Sequence, residues 1–271
     1  MDIGGSLLLV GCGKMGGALL NGWLDAGLDA GGVRVVEPFA DAAAALTARG
    51  VAVVSGPGEL PAEFRPALVL FAIKPQMMDQ ALPDYARFAA SGTVFLSIAA
   101  GKTIGYFEAA LGGDAAIVRA MPNTPAAVGR GMTVLVANPK VSSGQREVCG
   151  DLLAAVGETA WVEDEGLLDA VTAVSGGGPA YVFLLIECLA EAWVAAGLPP
   201  DLAMRLARVT VAGAGELVHQ ASEPASKLRE NVTSPAGTTL EALKVLMAAD
   251  GLQPLLTRAI AEATRRSREL A

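Results

Sequence analysis

Two hydrophobic patterns divide this chain. Up to residue 137, short apolar runs alternate with segments of helical period. The runs lie at 7–10, 33–36, 51–54, 67–73, 94–98, 117–121 and 132–137. Each is short and almost uniformly apolar, the pattern of a parallel strand buried on both faces. Between the first two, Met15, Leu19, Leu20, Trp23 and Leu24 recur at helical spacing. An Ala-rich helix is predicted over 41–49, with Asp41 placed to cap it, and another over 103–111. The run at 132–137 reads as the last strand. This alternation predicts a sheet wound with helices on both faces. Near Gly166 the strand-like runs stop. Helices are predicted over 167–174, 179–196, 200–221, 224–230, 239–249 and 253–270. The segment 180–196 is apolar nearly all round, so it needs cover on several sides, and pairing with a second copy is the simplest cover. It carries Glu187 and Glu191, and reads as a buried helix of a soluble protein rather than a membrane span.

The first strand ends in Gly11-Cys12-Gly13-Lys14-Met15-Gly16, a full G-x-G-x-x-G between a strand and a helix. That context makes it a dinucleotide fingerprint. Gly11 permits the tight turn, Gly13 lets a pyrophosphate approach the backbone, and Gly16 lets the helix pack close to the strand. The helix N-terminus offers unpaired N–H groups to the phosphates. Glu37 ends the second strand about twenty residues on, where a carboxylate binds the adenosine ribose hydroxyls and repels a 2′-phosphate. This favours NADH over NADPH. Arg34 sits inside that strand and points away. The fold class is therefore α/β: an N-terminal Rossmann dinucleotide-binding domain over 1–164, then an all-α domain over 165–271 that binds substrate and dimerises.

Other strand ends carry candidate chemistry. Lys74, after the run 67–73, is placed either for the cofactor's ribose or phosphate or as a solvated strand-end lysine. Small residues at Ala99 and Ala100 leave room for a flat ring. In the helical half, Ser175-Gly176-Gly177-Gly178-Pro179 reads as a flexible turn with exposed N–H groups before a helix. Thr238-x-x-Glu241 fits a capping box for the helix that follows. Equally, the N–H groups around Gly237, Thr238 and Thr239 suit a substrate carboxylate. The single histidine, His219, follows the apolar pair Leu217-Val218 on a helix and reads as surface or packing.

Composition narrows the partners. The net charge of −8 argues against nucleic acid or anionic lipid. Cys12, Cys149 and Cys188 form neither a metal pattern nor a disulfide framework, so no metal is expected and a reducing, cytoplasmic setting is the default. The first residues lack a basic region of the kind that opens a signal peptide.

Four motifs then add up to a family: Ala72-Ile73-Lys74-Pro75-Gln76, Met121-Pro122-Asn123-Thr124-Pro125, residues 170–181 around the glycine turn, and residues 232–239. Over essentially its whole length the sequence resembles Δ1-pyrroline-5-carboxylate reductase. The resemblance implies NAD(P)H-dependent reduction of the cyclic imine to L-proline in proline biosynthesis. It implies a helical domain that interlocks into homodimers, often five in a ring. The fingerprint (Gly11, Cys12, Gly13, Lys14, Met15, Gly16) and Ala72, Ile73, Lys74 and Pro75 would contact the cofactor. Ala99 and Ala100 would lie beside it, and Asn231 would touch it from the helical domain. The substrate carboxylate would meet Ser234, Gly237 and Thr238, Thr239 would bond the ring nitrogen, and Glu165 matches an acid near the substrate. Two positions depart from the family pattern: Gly177 stands where a serine is usual, and Ala236 where the first glycine of Pro-Gly-Gly is usual.

The implied chemistry needs few side chains. A protonated cyclic imine is already electrophilic, and the protein must hold it against the nicotinamide and exclude water. Three other readings stand beside this one. A reductase of a related cyclic imine would share every motif. A dehydrogenase of β-hydroxy acids would need a lysine in the helix after the glycine turn, and 179–196 has none. A non-catalytic NAD(H)-binding scaffold would not need the segment 234–239.

Overall fold

A computed structural model describes residues 3–270. Contacts divide the chain into two compact units, Met1–Gly177 with Ala263–Ala271, and Gly178–Glu262. The first unit is built on one sheet of eight strands: β1 (Leu7–Val10), β2 (Val33–Val36), β3 (Ala52–Val54), β4 (Leu68–Phe71), β5 (Val94–Ser97), β6 (Ala116–Met121), β7 (Gly131–Ala137) and β8 (Gly157–Trp161). Their order is β3-β2-β1-β4-β5-β6-β7-β8. All pairs are parallel except β6 with β7. The order reverses between β1 and β4, which is where doubly wound sheets bind ligands beyond their carboxyl ends.

The apolar runs fill both faces. Leu7 and Leu9 pack on one face with Trp23, Leu152 and Leu153. Leu8 and Val10 pack on the other with Phe71, Tyr85 and Phe107. These layers come from α1 (Lys14–Asp25), α5 (Ser143–Ala154), α4 (Ile104–Leu111) and the 3₁₀ segment Leu82–Ser91 after α3 (Met78–Ala81). Trp23 is fully buried and donates its indole N–H to the Leu152 carbonyl at 2.7 Å.

Several local expectations are corrected. The run at 132–137 is not the last strand, because β8 pairs with β7 beyond it. The second helix, α2 (Ala40–Thr47), starts before Asp41; Phe39 holds the N-cap and Asp41 lies in the first turn without capping it. The glycine-rich stretch is not an open turn. Helix α6 (Leu167–Val171) runs into a π-helical turn, Thr172–Gly176, in which Gly177 N–H donates to the Thr172 carbonyl at 2.9 Å.

The second unit is helical: α7 (Gly178–Ala195), α8 (Pro200–Gln220), α9 (Ala225–Asn231), α10 (Thr238–Leu246) and the greater part of α11 (Leu252–Leu270). The end of α11 belongs to the first unit, where Ser267 Oγ donates to Asp169 at 2.7 Å. Helix α7 packs along α8, yet in the single chain only Ala190 of α7 is buried. The expectation of a helix covered on several sides is therefore not met within one chain. The segment Leu167–Ala195 is long and apolar enough to cross a membrane by length and composition.

Candidate active site

The fingerprint forms the turn from β1 into α1. Gly11 has φ +86°, and a side chain there would meet Ile73 and the Ala72 carbonyl. A side chain on Gly16 would strike the Gly11 carbonyl and the Ala72 methyl. Ala72 and Ile73 thus abut the fingerprint because β4 lies beside β1. Gly13 is exposed, and a Cβ there would find open space. It is also the N-cap of α1, without a side-chain cap and without an acid in the first turn. Among the described residues, nothing accepts from the N–H groups of Lys14, Met15 and Gly16. This is a bare, positive helix end with a clear approach, which fits the pyrophosphate of a dinucleotide.

Glu37 directly follows β2 and is 5% exposed. Its Oε2 accepts from Cys12 N–H at 3.0 Å and its Oε1 from Phe39 N–H at 3.1 Å. The carboxylate therefore braces the fingerprint turn as well as marking the strand end. Burial, and then the Glu37 charge, push the Cys12 thiol up to about 11, so it stays protonated and is no nucleophile. Arg34 lies 4.9 Å from the Phe64 ring centroid. Lys74 is exposed, pairs with no carboxylate among the described residues, and caps the 3₁₀ turn Pro75–Met77. Ala99 is buried and Ala100 exposed at the end of β5. The cofactor candidates Gly11–Gly16, Glu37, Ala72–Pro75, Ala99 and Ala100 thus all sit at carboxyl ends of β1, β2, β4 and β5, around the switch point.

Glu165 has an unexpected setting. Its Oε1 accepts from Ile104 N–H at 2.7 Å and forms an ion pair with Arg119, which is 7% exposed on β6. The sequence reading did not single out Arg119. The signal was there: a charge inside the apolar run Ile117–Met121 must find a partner when buried. Asn123 accepts from Met132 N–H at 2.9 Å and donates to Ser175 Oγ at 3.2 Å, tying the Pro-Asn-Thr-Pro turn to the π-helical turn.

In the helical unit, Asn231 ends α9, Ser234 and Gly237 lie on the turn into α10, and Thr238 and Thr239 open that helix. The capping box expected at Thr238 does not form. Gly237, extended at φ −84° and ψ 164°, takes the N-cap, so the helix begins one residue early. Glu241 pairs instead with Lys244 at 2.6 Å. The Thr238 and Thr239 side chains are exposed and take no part in capping, and their N–H groups have no acceptor among the described residues. Ala236, in the same turn, holds φ +56° and is the one non-glycine residue with positive φ among those described.

Comparison with known proteins agrees with this layout. Residues 165–270 match the family model of pyrroline-5-carboxylate reductase dimerisation, and residues 6–101 match that of NADP oxidoreductase, coenzyme F420-dependent. The pyrroline-5-carboxylate reductase of Pseudomonas aeruginosa is 38% identical over 98% of this chain and 96% of its own length. The structure of a pyrroline-5-carboxylate reductase from Coxiella burnetii superposes with TM-score 0.93 at 32% identity, covering 98% of each chain. That of the Plasmodium falciparum pyrroline carboxylate reductase with NADP bound superposes with TM-score 0.82 at 28% identity, covering 100% of this chain and 99% of its own. With a curated relative at this identity over nearly its full length, the chain belongs to the pyrroline-5-carboxylate reductase family.

Proposed function

We propose that this chain is an NAD(P)H-dependent reductase of Δ1-pyrroline-5-carboxylate, forming L-proline. The observation that carries this is that one chain of this family holds both a bare fingerprint helix end in its sheet unit and a bare helix end at Gly237–Thr239 in its helical unit. The first would hold the pyrophosphate with the N–H groups of Lys14, Met15 and Gly16. The second would hold the substrate carboxylate with those of Thr238 and Thr239, beside Ser234. When bound, the nicotinamide supplies the hydride. Lys74 and Asn231 would bind the cofactor's polar parts, and Ala99 and Ala100 would leave its ring a flat bed. Thr239 would orient the imine nitrogen and donate a hydrogen bond to it, and Glu165, which uses Oε1 for Ile104 and Arg119, would offer its other oxygen to the substrate.

Glu37 supports a preference for NADH, because a 2′-phosphate would meet a carboxylate already fixed by two backbone N–H groups. The exposed apolar faces of α7 and α8 support a homodimer as the working unit, with a ring of dimers as its larger form. The net charge of −8 supports an enzyme without nucleic-acid or anionic-membrane partners, and the three scattered cysteines support a cytoplasmic setting.

Initial rates with Δ1-pyrroline-5-carboxylate, NADH and NADPH in parallel test the reading. Turnover is expected with a higher kcat/KM for NADH; absence of turnover with both would sink it. Thr239→Ala should lower kcat/KM for the imine on the order of 10- to 100-fold, with NADH affinity retained. Unchanged turnover in that variant would remove Thr239 from the site.

A further inference from the structure

Arg119, Glu165 and the N-terminus of α4 form a connection that the reduction chemistry does not require. Arg119 sits in β6 opposite Ser97, the last residue of β5. After Ser97 the chain runs through Ala99 and Ala100, turns at Gly101 with φ +73°, and enters α4 at Thr103, whose side chain caps the helix. Ile104, the first residue of α4, donates its N–H to Glu165 Oε1 at 2.7 Å. The same oxygen is held by the buried Arg119 guanidinium. The loop 98–103 is thus fixed at one end by β5 and at the other by a carboxylate on a positive helix end, which is itself anchored in the sheet. The flank of the loop has a second anchor: Asp79 of α3 accepts from Tyr106 OH at 2.6 Å and from Lys102 Nζ at 3.2 Å.

We propose that Arg119 and Glu165 are positioning residues that clamp the β5–α4 loop through the Ile104 amide, and so set the bed on which the nicotinamide end of the cofactor rests. This rests on the reading of Ala99 and Ala100 as cofactor neighbours. It gives Glu165 a role toward the cofactor in addition to any contact with the imine. The bond to Ile104 needs only an acceptor oxygen at position 165, while the charge there balances the buried Arg119. A glutamine there keeps both bonds; an alanine loses both and leaves Arg119 buried without its partner.

The test uses the full-length protein, with NADH and NADPH titrated by their own fluorescence, beside hydrogen exchange of the Ile104 amide without cofactor. Glu165→Gln should bind both within about twofold of the parent and keep Ile104 protected. Glu165→Ala should bind on the order of tenfold more weakly, with faster exchange at Ile104, and kcat should fall more than the imine KM rises. A purely structural role would lower the melting temperature without this split. If Glu165→Ala does not fold, the double variant Arg119→Met/Glu165→Leu replaces both charges with apolar chains and carries the same expectation. A folded alanine or double variant with parental cofactor affinity overturns the clamp, as do equal losses in the glutamine and alanine variants. A parent protein that binds the cofactors but does not reduce Δ1-pyrroline-5-carboxylate overturns only the proposed function. A parent that binds neither overturns both.

Discussion

The two units bury their apolar residues in opposite ways. In the sheet unit every residue of β1, β4, β5 and β6 is buried, and the layers above and below them close within the chain. In the helical unit α8 buries only Ala203 and Ala207, and α10 buries nothing. Phe183, Leu184, Val209 and Leu217 are each more than half exposed. A groove of about 770 Å³ lined by Leu243, Leu246, Met247, Leu252, Leu256 and Ile260 adds to that open apolar surface. Isolated exposed leucines are ordinary, but so many large apolar side chains exposed on one helical unit mark an interaction face. The difference teaches that the sheet unit is encoded as a self-sufficient core, whereas the helical unit is encoded as half of one. The family model that covers it is a dimerisation model.

The contrast can be broken from either side. Trp23→Ala in the sheet unit removes a fully buried ring and its bond to Leu152, and should cost about 3–5 kcal/mol, read as a lower urea midpoint. That loss should be independent of protein concentration once dimer dissociation is accounted for. Phe183→Asp on α7 removes a ring that is 59% exposed in the single chain. Its cost should fall on association instead, weakening the dimer by about 2 kcal/mol or more, seen as monomer in light scattering at micromolar protein. A dimer of parental strength would show that this face of α7 is not the interface. Both outcomes together would establish that stability in one unit is intramolecular and in the other shared.

The same contrast explains what the sequence disclosed. The sheet unit was legible because a strand buried on both faces leaves an unbroken apolar run, and because the G-x-G-x-x-G stands between such a run and a helical period. Strand β8 was not legible: it reads Gly-Glu-Thr-Ala-Trp, lies at the sheet edge and is only partly buried, so no apolar run marks it. The Arg119–Glu165 pair spans 46 positions, and no local pattern announces a partner that distant. In the helical unit the periodicities gave the helices but not their cover, since the cover is not in the chain. The capping box at Thr238 failed for a local reason: a glycine in extended conformation could hold the N-cap one residue earlier, which kept both threonine hydroxyls out of the cap.

The smallest expected effect lies on the turn before α10. Ala236 sits at φ +56°, where its Cβ crowds the following carbonyl and a glycine would meet no such crowding. Ala236→Gly relieves that strain but gives the unfolded chain more freedom, so the two effects oppose each other. Strain relief is the larger of the two at positive φ, and a net gain of about 0.5–1 kcal/mol is expected. A second consequence follows if Gly237–Thr239 bind the substrate carboxylate. The turn that presents those N–H groups is then held in a conformation alanine disfavours, and the glycine variant should lower the KM for Δ1-pyrroline-5-carboxylate by about two- to fivefold, with kcat and NADH affinity unmoved. Denaturation midpoints and imine KM values separate the two effects. A stabilised variant with unchanged KM would place Ala236 among the structural positions of the helical unit. A lowered KM would show that a strained residue in the less self-sufficient unit sets how readily the substrate segment is formed.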